Sequence, residues 1–484
     1  MDIRELEPRG LWKCFYELTQ VPRPSGHLDK IRAFLTAWAR ERGIENFVDG
    51  AGNVVMRVPA TKGYEDKEVV TMEAHMDMVP QKTPESTHDF LNDPLDVYID
   101  GDWVKARGTT LGADDGIGVA TAMAIFEDPT IEHGPLEAIF TVDEESTMEG
   151  VNNLSSDTLK GRILLNLDNE TEGEFVIGSA GGEDVAARLD YQEVASEEGL
   201  VGVRITLKGL KGGHSGLEIG EGRANAGKLM ARLLADAVEV LDVDVASFVS
   251  GNMRNAIPSS AVAVVVVPED LVEPLRELAQ DWVDTFNDEY KATDSPLNLI
   301  VEQVEAPSKI APQDIRDNAL NAVLACPAGV ARMIPETPTI VETSCNLGII
   351  SLKDGVFETD VLCRSSCDTQ LEALEQAVGA VFSLAGMHVE QKGHYGSWQP
   401  DFSSPLIGLI ERVYRDLFGE ECRVQVVHAG LECSIIKGHY PYMDMVSFGP
   451  TLRSPHTPNE RCLIPTVGKY YEFVKALLLN IPEA

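Results

Sequence analysis

The chain has 484 residues, 44% of them hydrophobic and 24% charged, with 41 glycines and 26 prolines. Those proportions exclude a fibre, a collagen and a disordered tail, and the length suits about three domain-sized units. Lys and Arg number 40 against 78 Asp and Glu, a net charge of −38, so the molecule's field repels phosphate backbones and anionic lipid. No nucleic acid or membrane partner is expected.

Eight cysteines, at 14, 326, 345, 363, 367, 422, 433 and 462, form no CxxC pair, the usage of a reduced compartment. The N-terminus MDIRELEPRG carries acids where a secretory leader would be apolar. The longest purely apolar run, Ala261 to Val267, is far short of the about 20 residues that span a bilayer. A cytoplasmic location is expected.

In the first third, GNVVMRV, EVVTMEAHMDMV, LEAIFTVD and RILLNLD read as strands. They alternate with DIRELEPRGLWKCFYELTQV, HLDKIRAFLTAWARERG and GIGVATAMAIFED, whose apolar residues recur every three or four positions and predict helices. This is the pattern of an α/β unit. The third helix is nearly all small or apolar, which predicts that it is buried. From residue 187 the order becomes strand, helix, strand, strand, helix, strand, in VGVRITLKGL, NAGKLMARLLADAVEV, VDVASFV, SAVAVVVV, LVEPLRELAQDWVDTFNDEY and LNLIVEQV. That order is ferredoxin-like. A similar series runs from a helix near DIRDNALNAVLA to a strand at HVEQKG, and residues 400 to 484 return to an α/β pattern with SPLIGLIERVYRDLF, VQVVHA, MDMVSFG and GKYYEFVKALLLNI.

Five segments carry residues that could do chemistry. His75 and Asp77 close the strand VVTMEAHMD on one face. An acid follows a histidine by two positions at His27, His75 and His388, near chance for so acidic a chain. Only His75 ends an apolar strand, the edge where open α/β sheets build their sites. Asp114 and Asp115 follow the glycine-rich turn of GTTLGADDGIGVATA, where an acid ordinarily caps a helix. Asp143, Glu144 and Glu145 close the strand of FTVDEESTMEG, where acids ordinarily make a solvated turn. Asp168 ends ILLNLDNE, and His456 sits between prolines in SFGPTLRSPHTPNER. Taken together, four strand ends in the first third deliver acids or histidine to one edge of one sheet, which independent coincidence does not explain. Neutral imidazoles with carboxylates suit zinc, manganese or cobalt rather than calcium or an iron-sulfur cluster. Three carboxylates against two dications leave a single positive charge that one hydroxide neutralises, so the residues themselves point to a two-metal hydrolase.

HMD, GADDGIGVA, TVDEE, NLDNE, GGHSG and SPHTPNE, in this order and spacing, resemble the co-catalytic dizinc peptidase family that contains aminoacylase, carboxypeptidase G and peptidase T. VPRPSGHLDKI, HAGLEC and YPYMDMVSFGP bring the likeness nearest to its dipeptidases acting on Xaa-His substrates, and it runs over essentially the whole chain. The resemblance implies one metal held by His75, Asp114 and Asp168 and a second by Asp114, Glu145 and His456. Asp114 bridges, and a cis peptide follows it. Two zinc ions per subunit are implied, with manganese or cobalt as substitutes. Asp77 would orient the His75 ring, and Glu144 would be the general base that takes a proton from an activated water and hands it to the leaving amine. Adjacent at a strand end, Glu144 and Glu145 are expected to point to opposite sides. His214 in KGGHSGLEIG is implied as a partner of the oxyanion. Asn255 in GNMRNAIP and Arg364 after VFETDVLC are implied as substrate contacts, Arg364 clamping a free carboxylate. In so acidic a protein an ion pair is the competing use of Arg364. Gly430 and Glu432 of HAGLEC are expected to line the pocket, and Ser434 and Ser454 stand where the family commonly has glycine.

The expected architecture is α/β: a zinc-peptidase catalytic domain with a central mixed sheet, from residues 1–186 and 400–484, interrupted by a doubled ferredoxin-like lid and dimerisation domain, 187–399. The separation of Asp168 from His456 requires such an insertion. The implied activity is metal-dependent hydrolysis of dipeptides, preferentially Xaa-His including beta-alanyl-histidine, by a homodimer. The alternatives are a tripeptide aminopeptidase or an acylamino-acid hydrolase of the same fold. The inserted segment of about 210 residues, twice what a single lid needs, disfavours them. A non-enzymatic acidic scaffold, a further reading, would bind no stoichiometric transition metal.

Overall fold

Four short runs, Leu136–Thr141, Val70–His75, Ile163–Asn166 and Asp444–Ser447, lie side by side in parallel at the centre of an eight-stranded sheet. They are buried on both faces, which is why three of them read as near-continuous apolar runs and not as an alternation. Val54–Val58 and Glu45–Val48 extend the sheet antiparallel on one side, Glu174–Ser179 pairs antiparallel on the other with Arg423–Val427 beyond it, and the sheet is mixed. The computed structural model describes residues 2–484 and divides into two compact units. The first comprises Met1–Gly178, Pro400–Val426 and Leu431–Ala484, the second Ser179–Gln399 and Val427–Gly430.

In the first unit the helix Ala113–Glu127 is buried from Ala113 through Ile125, as its composition predicts, and the helix Arg9–Thr19 packs against it. Phe175, Tyr414, Phe448 and Phe473 pack their rings 4.9 to 5.8 Å apart and tie the helices Pro405–Phe418 and Ile464–Asn480 to the sheet. A separate sheet of Leu452–Arg453, Arg461–Leu463, Trp103–Ala106 and Val97–Asp100 carries the His456 loop. Three expected site segments do follow adjacent parallel strands: His75, the 143–145 turn and Asp168. The fourth does not. The strand before Asp114 belongs to the smaller sheet, and Asp114 arrives from a helix start.

In the second unit two ferredoxin-like units share one nine-stranded sheet, one nested inside the other. The inner unit runs from Val201–Lys208 to Asn298–Val304, its strands in the spatial order fourth, first, third, second. The outer unit has the same order but begins with Gly181–Asp190, before the inner unit, and resumes at the helix Gln313–Ala325. Phe248–Ser250 against Ile350–Leu352 joins the two halves. Helices Ala226–Leu241, Val272–Tyr290, Gln313–Ala325 and Asp368–Leu384 cover one face and bury one continuous core. The unit therefore begins at Ser179, and a cut after residue 186 would pass through the first strand of the outer half. That strand opens Gly-Gly-Glu-Asp, residues of low strand propensity, and is held by neighbours on both sides. Val427–Gly430 joins this unit as well, through the Ala180 N–H donated to the Val427 carbonyl at 3.0 Å.

Phe382 is fully buried in the core under these helices, whereas Val262 is 36% exposed on the opposite sheet face. Phe382→Ala is expected to lower stability by about 3–5 kcal/mol and Val262→Ala by no more than about 0.5 kcal/mol, measured as shifts in urea midpoint.

Candidate metal centre

The turn that delivers Asp114 is clamped from two sides. The Glu460 carboxylate accepts four consecutive backbone N–H groups, from Leu111 (2.7 Å), Gly112 (2.9 Å), Ala113 (2.8 Å) and Asp114 (3.2 Å). Arg23, wholly buried, donates to the carbonyls of Met76 and Asp77 and to that of Gly112. Gly112 has φ +67°, and a Cβ there would fall 2.6 Å from the Arg23 guanidinium, so glycine is required. The Asp114–Asp115 peptide is cis. Asp115 Oδ1 accepts the Gly118 N–H at 3.1 Å, the capping role an acid ordinarily plays there, and Asp114 is left free of that duty.

The side chains of five expected ligands converge. Asp114 presents Oδ1 to His75 Nε2 at 2.9 Å and Oδ2 to His456 Nε2 at 3.1 Å. Glu145 Oε2 lies 2.8 Å from His456 Nε2, and Asp168 Oδ1 lies 3.9 Å from His75 Nε2. Behind them, Asp77 is fully buried. Its carboxylate accepts from Ser25 Oγ at 2.7 Å and from the backbone N–H groups of Glu144 and Glu145 at 3.1 and 3.3 Å, with Oδ1 3.4 Å from His75 Nδ1. The strand ends at Thr141, so a turn and not strand alternation separates Glu144 from Glu145. Asp143, at φ +56°, starts that turn and its carbonyl accepts the N–H groups of Thr147 and Met148.

Charge is unbalanced in this cluster. Burial and neighbouring acids hold Asp168 well above the usual carboxylate range and push Glu144 up to about 8. The facing carboxylates hold both imidazoles above their ordinary values, His456 at about 10. Ligand atoms of His75, Asp114 and Glu145 lie within 4.8 Å of one another, and buried Glu145 Oε1 has no hydrogen-bond partner among the described residues. Side chains that gather protons around shared points, with a carboxylate presenting one oxygen to each of two histidines, fit divalent cations, which displace those protons on binding.

Sequence reasoning missed a second layer. Glu460 lies inside the quoted motif SPHTPNE, and Arg23 inside VPRPSG. Their signal was a lone acid and a lone base in proline-rich stretches. Glu432 does not line an opening. It is 2% exposed, accepts Thr141 Oγ1 at 2.7 Å, and lies beside Glu73, whose carboxylate accepts the Asn166 amide. Burial and Glu73 hold the Glu432 carboxyl well above the usual carboxylate range. Ser434 fits the first turn of the helix Glu432–His439 by donating to the Leu431 carbonyl at 2.8 Å. Ser454 has φ +55°, the left-handed region that glycine occupies without strain.

The second unit gathers the remaining expected residues. His214 Nδ1 accepts the N–H groups of Gly216 and Leu217, each at 3.1 Å. The neutral ring therefore carries its proton on Nε2, and burial beside Arg364 lowers its pKa and keeps it neutral. Gly213–His214 pairs with Ala256–Ile257, next to Asn255, whose carbonyl accepts the Ser215 N–H at 2.9 Å. Arg364 is 6% exposed and forms no ion pair among the described residues. Nη1 donates to Tyr395 Oη at 2.6 Å, and Nε is buried without a partner. A Cβ on Gly430 would fall 3.1 Å from the Tyr395 ring. His428, which sequence reasoning passed over, bonds through Nε2 to Ser344 Oγ at 2.7 Å. Burial, Arg364 and His214 push it down to about 3.

Two outcomes follow. Glu460→Ala strips four buried N–H groups of their acceptor and is expected to weaken metal binding about 10–100-fold, read by competition with a chromogenic chelator. His428 takes up no proton between its folded value of about 3 and its unfolded value of 6.5, whereas the unfolded chain does. Its contribution is therefore complete above 6.5 and is lost as pH falls toward 3. His428→Gln is expected to flatten the acid side of the stability profile in urea titrations.

The profile of peptidase family M20/M25/M40 matches residues 71–480. The cytosol non-specific dipeptidase of Escherichia coli (strain K12) is 40% identical over 481 residues, 99% of each chain. The crystal structure of the aminoacylhistidine dipeptidase from Vibrio alginolyticus superposes with a TM-score of 0.95 at 40% identity, over 100% of this chain and 99% of that one. Aminopeptidase PepT from Bacillus cereus ATCC 10987 shares the fold at a TM-score of 0.56 and 17% identity, over 98% of each chain. With its profile matched over residues 71–480 and a relative of 40% identity over its length, the chain belongs to peptidase family M20/M25/M40.

Proposed function

We propose that the chain is a metal-dependent dipeptidase that prefers Xaa-His substrates, beta-alanyl-histidine among them. The observation that carries the metal chemistry is the Asp114 carboxylate, which offers one oxygen beside His75 and the other beside His456. His75, Asp114 and Asp168 would hold one zinc ion, and Asp114, Glu145 and His456 a second, with manganese or cobalt able to substitute. Bound there, two such cations supply an acidified water and a polarised scissile carbonyl.

Glu144 takes the proton from that water and passes it to the leaving amine. A carboxyl raised by burial to about 8 holds a proton well enough to carry it. The Nε2 proton of His214 serves the developing oxyanion. Arg364, without an ion-pair partner among the described residues, takes the substrate's free carboxylate, with Asn255 and Gly430 shaping the same site. A carboxylate clamp beside the scissile bond selects dipeptides over longer chains. A homodimer follows from the family resemblance. A cytoplasmic location is supported by the name of the Escherichia coli relative. The name of the Escherichia coli relative favours a second reading, a broader dipeptide range.

The test is hydrolysis of beta-alanyl-histidine, alanyl-histidine, a dipeptide without histidine and a histidine-ended tripeptide, by zinc-loaded and by chelated enzyme. Zinc-dependent cleavage of the histidine dipeptides with the tripeptide spared is expected, and Glu144→Gln should lower kcat about 10²–10⁴-fold with metal content unchanged. Equal rates on the dipeptide without histidine move the assignment to the broader range. Tripeptide cleavage, or activity that survives chelation, overturns the proposal.

A further inference from the structure

The second unit holds another cluster of metal-ligating groups that shares no residue with the centre above. Glu183 lies on Gly181–Asp190, Glu375 on the helix Asp368–Leu384 and His394 on the edge strand His388–Tyr395. One ligand atom from each lies within 4.8 Å of the other two. Glu183 shares its strand face with Val185 and Ala187, which belong to the core beneath the helices. Glu375 reaches that face from the helix and is 4% exposed. His394 comes from a β-bulge: Lys392 pairs with Asp184 and Tyr395 with Gly182, so Gly393 and His394 together oppose Glu183. Gly393 takes φ +69°, the conformation the bulge needs, and His394 Nδ1 comes to 3.3 Å from Glu183 Oε2.

No Lys or Arg answers these two acids among the described residues. Lys392 is spent on Asp360 and Arg254 on Asp184. Glu375 Oε1 is buried without a hydrogen-bond partner, and the group beside it is the Glu183 carboxylate. Two apposed carboxylates, one of them buried, need either a shared proton or a cation. The nearby imidazole decides between them, since two carboxylates and one nitrogen form a ligand set for a first-row divalent ion with a position left for water. The His394 side chain is 56% exposed and free to turn inward toward the about 2 Å metal–ligand distances such a site requires.

We propose that Glu183, Glu375 and His394 form a zinc-binding site that clips the edge strand 388–395 to the neighbouring strand and to the helix above it. Burial and Glu183 push Glu375 up to about 7, so zinc competes there with a proton that leaves near neutrality. The role is structural, and none of the three residues belongs to the hydrolytic machinery.

The experiment dialyses the full-length chain, E375Q and H394A to equilibrium against zinc and counts bound metal by atomic emission. Each variant is expected to hold one zinc fewer than the parent, with unchanged dipeptide turnover and a smaller rise in Tm on adding zinc. The difference between chains reads this site whatever the occupancy of the catalytic centre. Near-parental circular dichroism checks that both variants fold, as expected for an isosteric change and for truncation of an exposed ring. A parental zinc count in either variant overturns the proposal and leaves a shared proton between the two carboxylates.

Discussion

Four backbone N–H groups in a row, from Leu111 to Asp114, meet one carboxylate, Glu460. Buried N–H groups without acceptors would each cost roughly 1–3 kcal/mol, so the turn and the Glu460 loop are stable only together. Glu460 is four residues from His456, which means that the bond fixing the Asp114 backbone also fixes the loop that brings His456 to Asp114. Two groups separated by 342 positions in sequence are thereby brought to 3.1 Å. Arg23 completes the arrangement by holding the carbonyls of Met76, Asp77 and Gly112, the segments on either side of His75 and Asp114. Glu460 itself is pushed up to about 7 by burial and by Asp114. The four donated hydrogen bonds are what oppose that shift.

Asp77 plays the corresponding part for the other ligands. It is buried, and it binds the backbone of Glu144 and Glu145 while lying against the His75 ring. One carboxylate therefore sets the spacing between a candidate ligand from one strand and both acids that follow the next. Neither Asp77 nor Glu460 faces the shared ligand points. The pattern is of inner carboxylates held by backbone N–H groups, with a front row left free to take cations.

Much of this was legible in the sequence because parallel central strands are buried on both faces and read as apolar runs, so an acid or histidine at their ends stands out. Asp168 and His75 were found that way. Glu460 was not, because its role is to accept backbone hydrogen bonds, and nothing in a sequence marks which N–H groups will be orphaned by a turn. The strand Gly181–Asp190 was missed for a different reason. Its residues have little strand propensity, and its identity comes from two neighbours, one of which begins about 165 residues later in the chain. The nested order of the two ferredoxin-like halves was hidden with it. His428 was passed over because its importance depends on what it lies beside, Ser344 and Arg364, and not on its spacing from any other histidine.

Arg364 shows how context reverses a sequence-level expectation. In a chain of net charge −38 an arginine ordinarily finds an acid, and an ion pair was the competing use foreseen for it. Instead it is buried with a phenol as its hydrogen-bond partner and with Nε unanswered. The two histidines near it, His214 and His428, are both held below their ordinary pKa values, in part by its charge. They add no second positive charge, and they offer no negative one. Among the described residues no carboxylate comes within ion-pair distance of this guanidinium, and a buried guanidinium without one retains its demand for an anion.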